Sequence, residues 1–186
     1  MSPPAKDSLQ PGRILITEEE LRARVTELGR AIGRDYAGGQ PPIIVGVLQG
    51  AFLFMADLVR AMPIPVSTDF IGLASYGAGT SSTGVVRLQF DLSMSIERRP
   101  VVIVEDIADT GLTLSYLKRA LEARHPESVR VCVLVDKIER RRAEIDIDYI
   151  GFTIPDVFVV GYGMDWSGLY RNLPHVAVLE DASVTR

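Results

Sequence analysis

The chain has one cysteine among 186 residues, Cys132. That excludes an intrachain disulfide, and its place in the apolar run 129–135 reads as a buried structural thiol. No apolar run is long enough to span a bilayer. The opening Met1-Ser2-Pro3-Pro4-Ala5-Lys6-Asp7 lacks the charged-then-apolar form of a secretory signal, so a reduced, cytoplasmic setting is expected, with no membrane partner. Positive charge is not in excess: 20 Lys and Arg against 24 Asp and Glu give −4. This balance argues against a nucleic-acid partner, though not against a local basic pocket. Internal repeats, low-complexity tracts and a second-domain linker are also missing. So are a Gly-Lys-Ser/Thr phosphate loop after a strand and a Gly-x-Gly-x-x-Gly dinucleotide fingerprint.

What is present is ordinary globular material, 47% apolar and 24% charged, enough for one domain with a sizeable core. Residues 1–12, polar with three prolines, read as a flexible N-terminal tail, and 13–186 as a single domain. Thr17-Glu18-Glu19-Glu20 is a capping box, after which Leu21, Val25, Leu28 and Ile32 recur at helical spacing. Gly38-Gly39-Gln40-Pro41-Pro42 ends that helix. A buried strand is expected at 43–48, a helix at 51–62 and a strand at 64–73. Residues 74–84 hold three glycines and five Ser or Thr, which cannot build a core. With a strand at 85–92 beyond it, the segment reads as a long hairpin tip, either a lid or a plain surface turn. Strands at 101–104, 129–135, 149–154, 157–160 and 176–179, with a helix at 112–124, complete an alternation that implies an α/β fold with a largely parallel sheet.

The richest segment is Val101-Val-Ile-Val-Glu105-Asp106-Ile-Ala-Asp109-Thr110-Gly111-Leu112-Thr113. A β-favouring run delivers carboxylates and a small polar loop to the C-terminal edge of a sheet, the edge at which open parallel sheets bind ligands. Gly111, the successive N–H groups around it and two threonine hydroxyls, at the start of a helix, suit a phosphate monoester. An ordinary Asp or Thr helix cap would use the same residues. The adjacent Glu105 and Asp106 repel one another, and burying both is costly, unless they bind a cation or several hydroxyls. A ribose with vicinal hydroxyls and a 5′-phosphate meets both halves of this pattern.

Residues 105–113 resemble the phosphoribosyl-pyrophosphate motif of the type I phosphoribosyltransferases. Leu48-Gln49-Gly50, Ser75-Tyr76, Leu134-Val-Asp-Lys137, Phe158-Val-Val-Gly-Tyr-Gly-Met-Asp165 and Tyr170-Arg171-Asn-Leu-Pro174 fall in the order found in hypoxanthine-guanine phosphoribosyltransferases. The likeness runs over 14–179. It implies the type I phosphoribosyltransferase fold: a mainly parallel central sheet flanked by helices, a small hood region and a long flexible hairpin loop. It also implies transfer of a phosphoribosyl group from phosphoribosyl pyrophosphate to N9 of a 6-oxopurine in purine salvage, with Mg2+, in a homodimer or homotetramer. By this resemblance Asp109 is the acid/base residue beside purine N7. Glu105 and Asp106 hold the ribose hydroxyls near magnesium. Thr110, Gly111, Leu112 and Thr113 form the 5′-phosphate loop. Lys137 donates to the 6-oxo group, Phe158 stacks on the base, and Val159 and Asp165 give main-chain contacts around it. Asp165 also ligates magnesium on pyrophosphate, Gln49, Gly50 and Arg171 bind pyrophosphate, and Ser75 and Tyr76 ride a closing loop. Without the resemblance, Lys137 reads as a surface lysine and Phe158 as core.

Gln49 departs from the lysine that family members often carry; it keeps hydrogen-bonding reach and loses the charge. The resemblance also implies a non-proline cis peptide within Gln49-Gly50. Trp166 stands where tyrosine is more usual, and Ser167-Gly168 replaces a more acidic stretch, which leaves the ranking of hypoxanthine, guanine and xanthine open. Two alternatives are a phosphoribosyltransferase preferring xanthine and a nucleotide-sensing, RNA-binding regulator on the same fold. The regulator would need a basic face, and the net charge speaks against one.

Overall fold

The structure, a computed structural model, describes residues 9–75 and 86–181. Its elements run β1 (Leu9–Ile16), α1 (Glu18–Asp35), β2 (Ile43–Leu48), α2 (Phe52–Ala61), β3 (Ser67–Ser75), β4 (Val86–Phe90), β5 (Pro100–Ala108), α3 (Leu112–Glu122), β6 (Ser128–Asp136), β7 (Tyr149–Thr153), β8 (Val159–Val160) and β9 (Val176–Asp181). The capping box forms: Thr17 N–H donates to Glu20 Oε2 at 2.7 Å and Glu20 N–H to Thr17 Oγ1 at 3.2 Å, which satisfies two of the donors a helix start leaves unmet.

Six strands make the main sheet in the order β4-β3-β2-β5-β6-β7. Every neighbouring pair is parallel except the β3–β4 hairpin at one edge. Alternation along β5 serves two cores: Val102 and Val104 join the cluster under α1 and α2, while Val101 and Ile103 join Leu114, Leu117 and Leu121 of α3. A strand covered on both faces has to be apolar throughout, which is why 101–104 is a continuous Val/Ile run. Cys132 lies fully buried in the same layer, and burial pushes its thiol up, away from reactivity.

A second sheet, β1-β9-β8, forms the hood. Here the expected tail is corrected: residues 9–12 are the first half of β1, with Leu9 opposite Asp181 and Gln10 opposite Glu180. Pro11 is tolerated because β1 is an edge strand with a shifted register beside it. Other boundaries moved too. β3 starts at Ser67, after Pro63 and Pro65, where missing N–H donors exclude ladder bonds. β5 continues to Ala108, so Glu105 and Asp106 lie within the strand and not beyond its end.

The order of the strands fixes where a ligand can enter. From β2 the chain passes to β3 on one side and later returns as β5 on the other. The switch point therefore falls between the carboxyl ends of β2 and β5, where open α/β sheets leave a crevice.

Candidate active site

Gln49-Gly50 follows β2 at this crevice, Glu105 and Asp106 lie in the C-terminal half of β5, and Asp109 directly follows it. The non-proline cis peptide is Leu48–Gln49, one bond earlier than expected. Gln49 is exposed. Gly50 is pressed against Asp106, whose carboxylate occupies the space a Cβ would need, and the Gly50 carbonyl lies against Gly163. Any side chain at position 50 would displace the acid, so this glycine is a close-approach requirement.

Asp106 is 8% exposed. Burial pushes its carboxyl up to about 6, opposed by backbone hydrogen bonds, Glu105 and the Arg171 guanidinium. Glu105 is pushed well above the usual carboxylate range, by burial first and then by Asp106. Its Oε2 is sealed from solvent with no hydrogen-bond partner. Buried polar atoms are nearly always partnered, so an orphan carboxylate oxygen beside a second buried acid is an acceptor awaiting a ligand. Among the described residues no three acidic, His or Cys side chains converge on a metal site. Asp165, expected as a metal ligand, forms an ion pair with Arg171 (Oδ1 to Nη2, 2.6 Å). Two hard carboxylates still suit magnesium, which commonly takes one or two protein oxygens and completes its shell with water and phosphate.

Gly111 is the N-cap of α3 at φ 77°, a left-handed conformation, and as a glycine it offers no side-chain cap. Thr110 Oγ1 accepts from the Leu112 N–H at a long 3.5 Å, and Asp109 makes no such bond, so the following N–H groups at the start of α3 keep their polarity. Thr110 and Thr113 are half-buried beside Gly111, with Leu112 in the first turn. The Thr110 carbonyl is held by the N–H groups of Arg142 (2.9 Å) and Ala143 (3.1 Å).

Lys137, expected on composition alone to be solvated, is 5% exposed. It follows β6, and its N–H donates to the Ala108 carbonyl at 2.9 Å, which brings the ends of β5 and β6 together. Burial lowers its ammonium from the usual lysine value, while the carboxylates of Asp109 and Asp156 oppose that shift. Arg140 was not foreseen. Its Nε lies 2.9 Å from Asp109 Oδ1 and its Nη1 3.3 Å from Asp156 Oδ1, and Asp156 Oδ1 is 3.9 Å from Lys137 Nζ. Two acids and two bases thus ring the end of β5. The signal was the spacing Asp136-Lys137-Ile138-Glu139-Arg140, whose single 3-10 turn (Ile138–Arg140) returns the guanidinium toward the lysine.

Phe158 is 46% exposed and meets Trp166 edge-to-face, with centroids 5.1 Å apart at 84°. Val159 is buried in β8. Arg171 Nη1 donates to the Gly163 carbonyl at 2.5 Å, so the hood segment and the Gly50–Asp106 contact are parts of one packed unit. Ser75 is the last residue of β3, while Tyr76 and the tip of the hairpin lie outside the described residues.

This arrangement has relatives. Residues 16–166 match the family model of the phosphoribosyl transferase domain. A hypoxanthine-guanine phosphoribosyltransferase of Mycobacterium avium is 47% identical over 97% of this chain and 93% of its own length. The chain belongs to the hypoxanthine-guanine phosphoribosyltransferase family. A family member from Aquifex aeolicus is 43% identical over 91% of this chain and 95% of its own. The crystal structure of a Staphylococcus aureus hypoxanthine phosphoribosyltransferase superposes with a TM-score of 0.88, at 42% identity over 95% of each chain. The family fold is the mixed α/β sheet described above, and no family member named here supports an RNA-binding regulator. No helix among the described residues is long and apolar enough to cross a membrane.

Proposed function

We propose that this transferase moves the phosphoribosyl group of phosphoribosyl pyrophosphate to N9 of hypoxanthine or guanine, yielding IMP or GMP and pyrophosphate in cytoplasmic purine salvage. The reading is carried by the buried Asp106 and the half-buried Glu105, with its orphan Oε2, at the switch-point crevice. Two acids that repel each other in the free protein gain partners when they accept the ribose 2′ and 3′ hydroxyls.

The 5′-phosphate sits on Thr110, Gly111, Leu112 and Thr113 at the uncapped start of α3. Lys137 donates to the purine 6-oxo group, which disfavours the amino group of adenine. Phe158 stacks on the base, and Val159 and Asp165 contact its edge through the main chain. Asp109 accepts or shares the N7 proton as N9 bonds to the anomeric carbon and pyrophosphate leaves. Arg140, paired with both Asp109 and Asp156, fixes the position of the Asp109 carboxylate as the base docks. Gln49, Gly50 and Arg171 take the pyrophosphate, with Gln49 offering hydrogen bonds and no charge. Ser75 and Tyr76 close over the site and exclude water. Glu105, Asp106 and Asp165 would hold Mg2+, which supplies charge neutralisation for pyrophosphate when bound. The chain acts as a homodimer or homotetramer.

A spectrophotometric assay of each purine with phosphoribosyl pyrophosphate and magnesium tests this. Turnover of hypoxanthine or guanine, and none of adenine, is expected; inertness toward every 6-oxopurine would overturn it.

A further inference from the structure

Phe158 and Trp166 form an aromatic pair whose two members differ in how they are held. The Phe158 main chain is anchored by the Leu179 N–H, which donates to its carbonyl at 2.8 Å. Its ring is 46% exposed, so its tilt depends on what its flank meets. That flank is Trp166, edge-to-face at 5.1 Å and 84°, a geometry aromatic quadrupoles favour.

Trp166 is fixed far more firmly. It opens a two-residue turn in which Trp166 N–H donates to the Leu169 carbonyl at 3.1 Å and Leu169 N–H to the Trp166 carbonyl at 3.0 Å. Both central residues have positive φ, 51° at Ser167 and 83° at Gly168, as a tight hairpin turn requires. Asp165 Oδ2 accepts from Gly168 N–H at 2.7 Å, and Asp165 is itself clamped by Arg171. The turn is thus tied on both sides to residues already assigned to the pyrophosphate end.

The indole N–H is buried without an acceptor. An unpartnered donor carries a desolvation cost, and the contact the indole does make is through its ring, edge-to-face with Phe158. We propose that Trp166 is a positioning residue that sets the tilt of Phe158, and thereby the affinity for the purine, and that it ties this platform to the Asp165–Arg171 pair. This rests on Phe158 being the purine platform.

The test uses the full-length enzyme with hypoxanthine and phosphoribosyl pyrophosphate. Trp166→Ala raises the KM for hypoxanthine roughly three- to tenfold, the size of an aromatic pair contact. It leaves kcat and the KM for phosphoribosyl pyrophosphate within about twofold. Trp166→Phe keeps an aromatic flank, removes the orphan donor, and matches wild type in every constant without melting lower. Trp166 is the sole tryptophan, so its emission reports the pair directly: GMP shifts it and ribose 5-phosphate does not. An unchanged hypoxanthine KM in Trp166→Ala, equal rises in both KM values, or no emission change at saturating GMP would each overturn the Trp166 role in an active enzyme. A wild-type enzyme inert toward every 6-oxopurine would instead remove the base site on which the role depends.

Discussion

Two clusters of ionisable groups sit at opposite edges of the same parallel sheet, and their surroundings push them in opposite directions. At the N-terminal edge, Arg130 Nη1 donates to Asp35 Oδ2 and to the Tyr149 hydroxyl, both at 2.6 Å, and that hydroxyl donates to Asp35 Oδ2 at 2.7 Å. The guanidinium also lies 5.3 Å from the Tyr36 ring centre. The Tyr149 hydrogen bond, ahead of the charge of Arg130, lowers the Asp35 carboxyl below its usual range. At the C-terminal edge, Asp106 is raised to about 6 and Glu105 well above the usual carboxylate range, both chiefly by burial. The first cluster is satisfied from within and serves the fold. The second is left in need of partners, and a ligand that brings hydroxyls or a cation relieves it.

The largest test of this contrast is Asp109→Asn, which removes a carboxylate at the C-terminal edge. It lowers kcat roughly 10²–10⁴-fold, while calorimetry finds phosphoribosyl-pyrophosphate affinity within a few-fold of wild type. Near-normal turnover would remove Asp109 from the chemistry. Next, Lys137→Ala raises the KM for the base by about ten- to a hundredfold, the worth of a charge-assisted hydrogen bond, and leaves the sugar donor almost unaffected. Equal effects on both substrates would place Lys137 elsewhere. At the opposite edge, Tyr149→Phe costs about 1–3 kcal/mol in urea unfolding by leaving Asp35 and Arg130 short of a partner, with kcat/KM unchanged. A loss of activity greater than the loss of fold would blur the division between the edges.

These contrasts were unevenly legible in the sequence. The continuous Val/Ile run of β5 and the Leu114, Leu117, Leu121 face of α3 announced the sheet and its cover, because burial on both faces leaves no other composition. Glu105, Asp106 and Asp109 were readable because carboxylates following such a run have few structural uses. Leu9 to Gly12 were not: Pro11 and Gly12 look like tail, and only the partner β9, some 170 positions on, makes them strand. Arg140 was hidden for a similar reason, since its value lies in meeting Asp109 and Asp156 across space. Arg130, Asp35 and Tyr149 carry no motif at all, being brought together by the ends of α1, β6 and β7.

The smallest and most diagnostic effects depend on pH. A raised carboxyl such as Asp106 is costlier to ionise folded than unfolded. Its penalty is absent below its ordinary value near 3.8 and fully felt above about 6. Asp35 runs the other way: its lowered carboxyl stabilises the fold above the ordinary Asp range and loses that contribution as pH falls. In metal-free protein, then, the melting difference between Asp106→Asn and wild type widens in favour of the variant between pH 4 and 7, while Asp35→Asn stays less stable than wild type by a nearly constant amount over that rise and closes the gap only as pH falls below the ordinary Asp value near 3.8.

The most direct measurement is a thermal melt of wild type and Asp106→Asn at pH 8, each with and without phosphoribosyl pyrophosphate and magnesium. Without ligand the variant melts roughly 2–6 °C above wild type, since it no longer buries a charge. With saturating ligand wild type gains several degrees by mass action, the variant gains far less, and their order reverses. A variant that melts below wild type without ligand, or that gains as much from the ligand, would contradict the claim that this edge is held unsatisfied for its substrate.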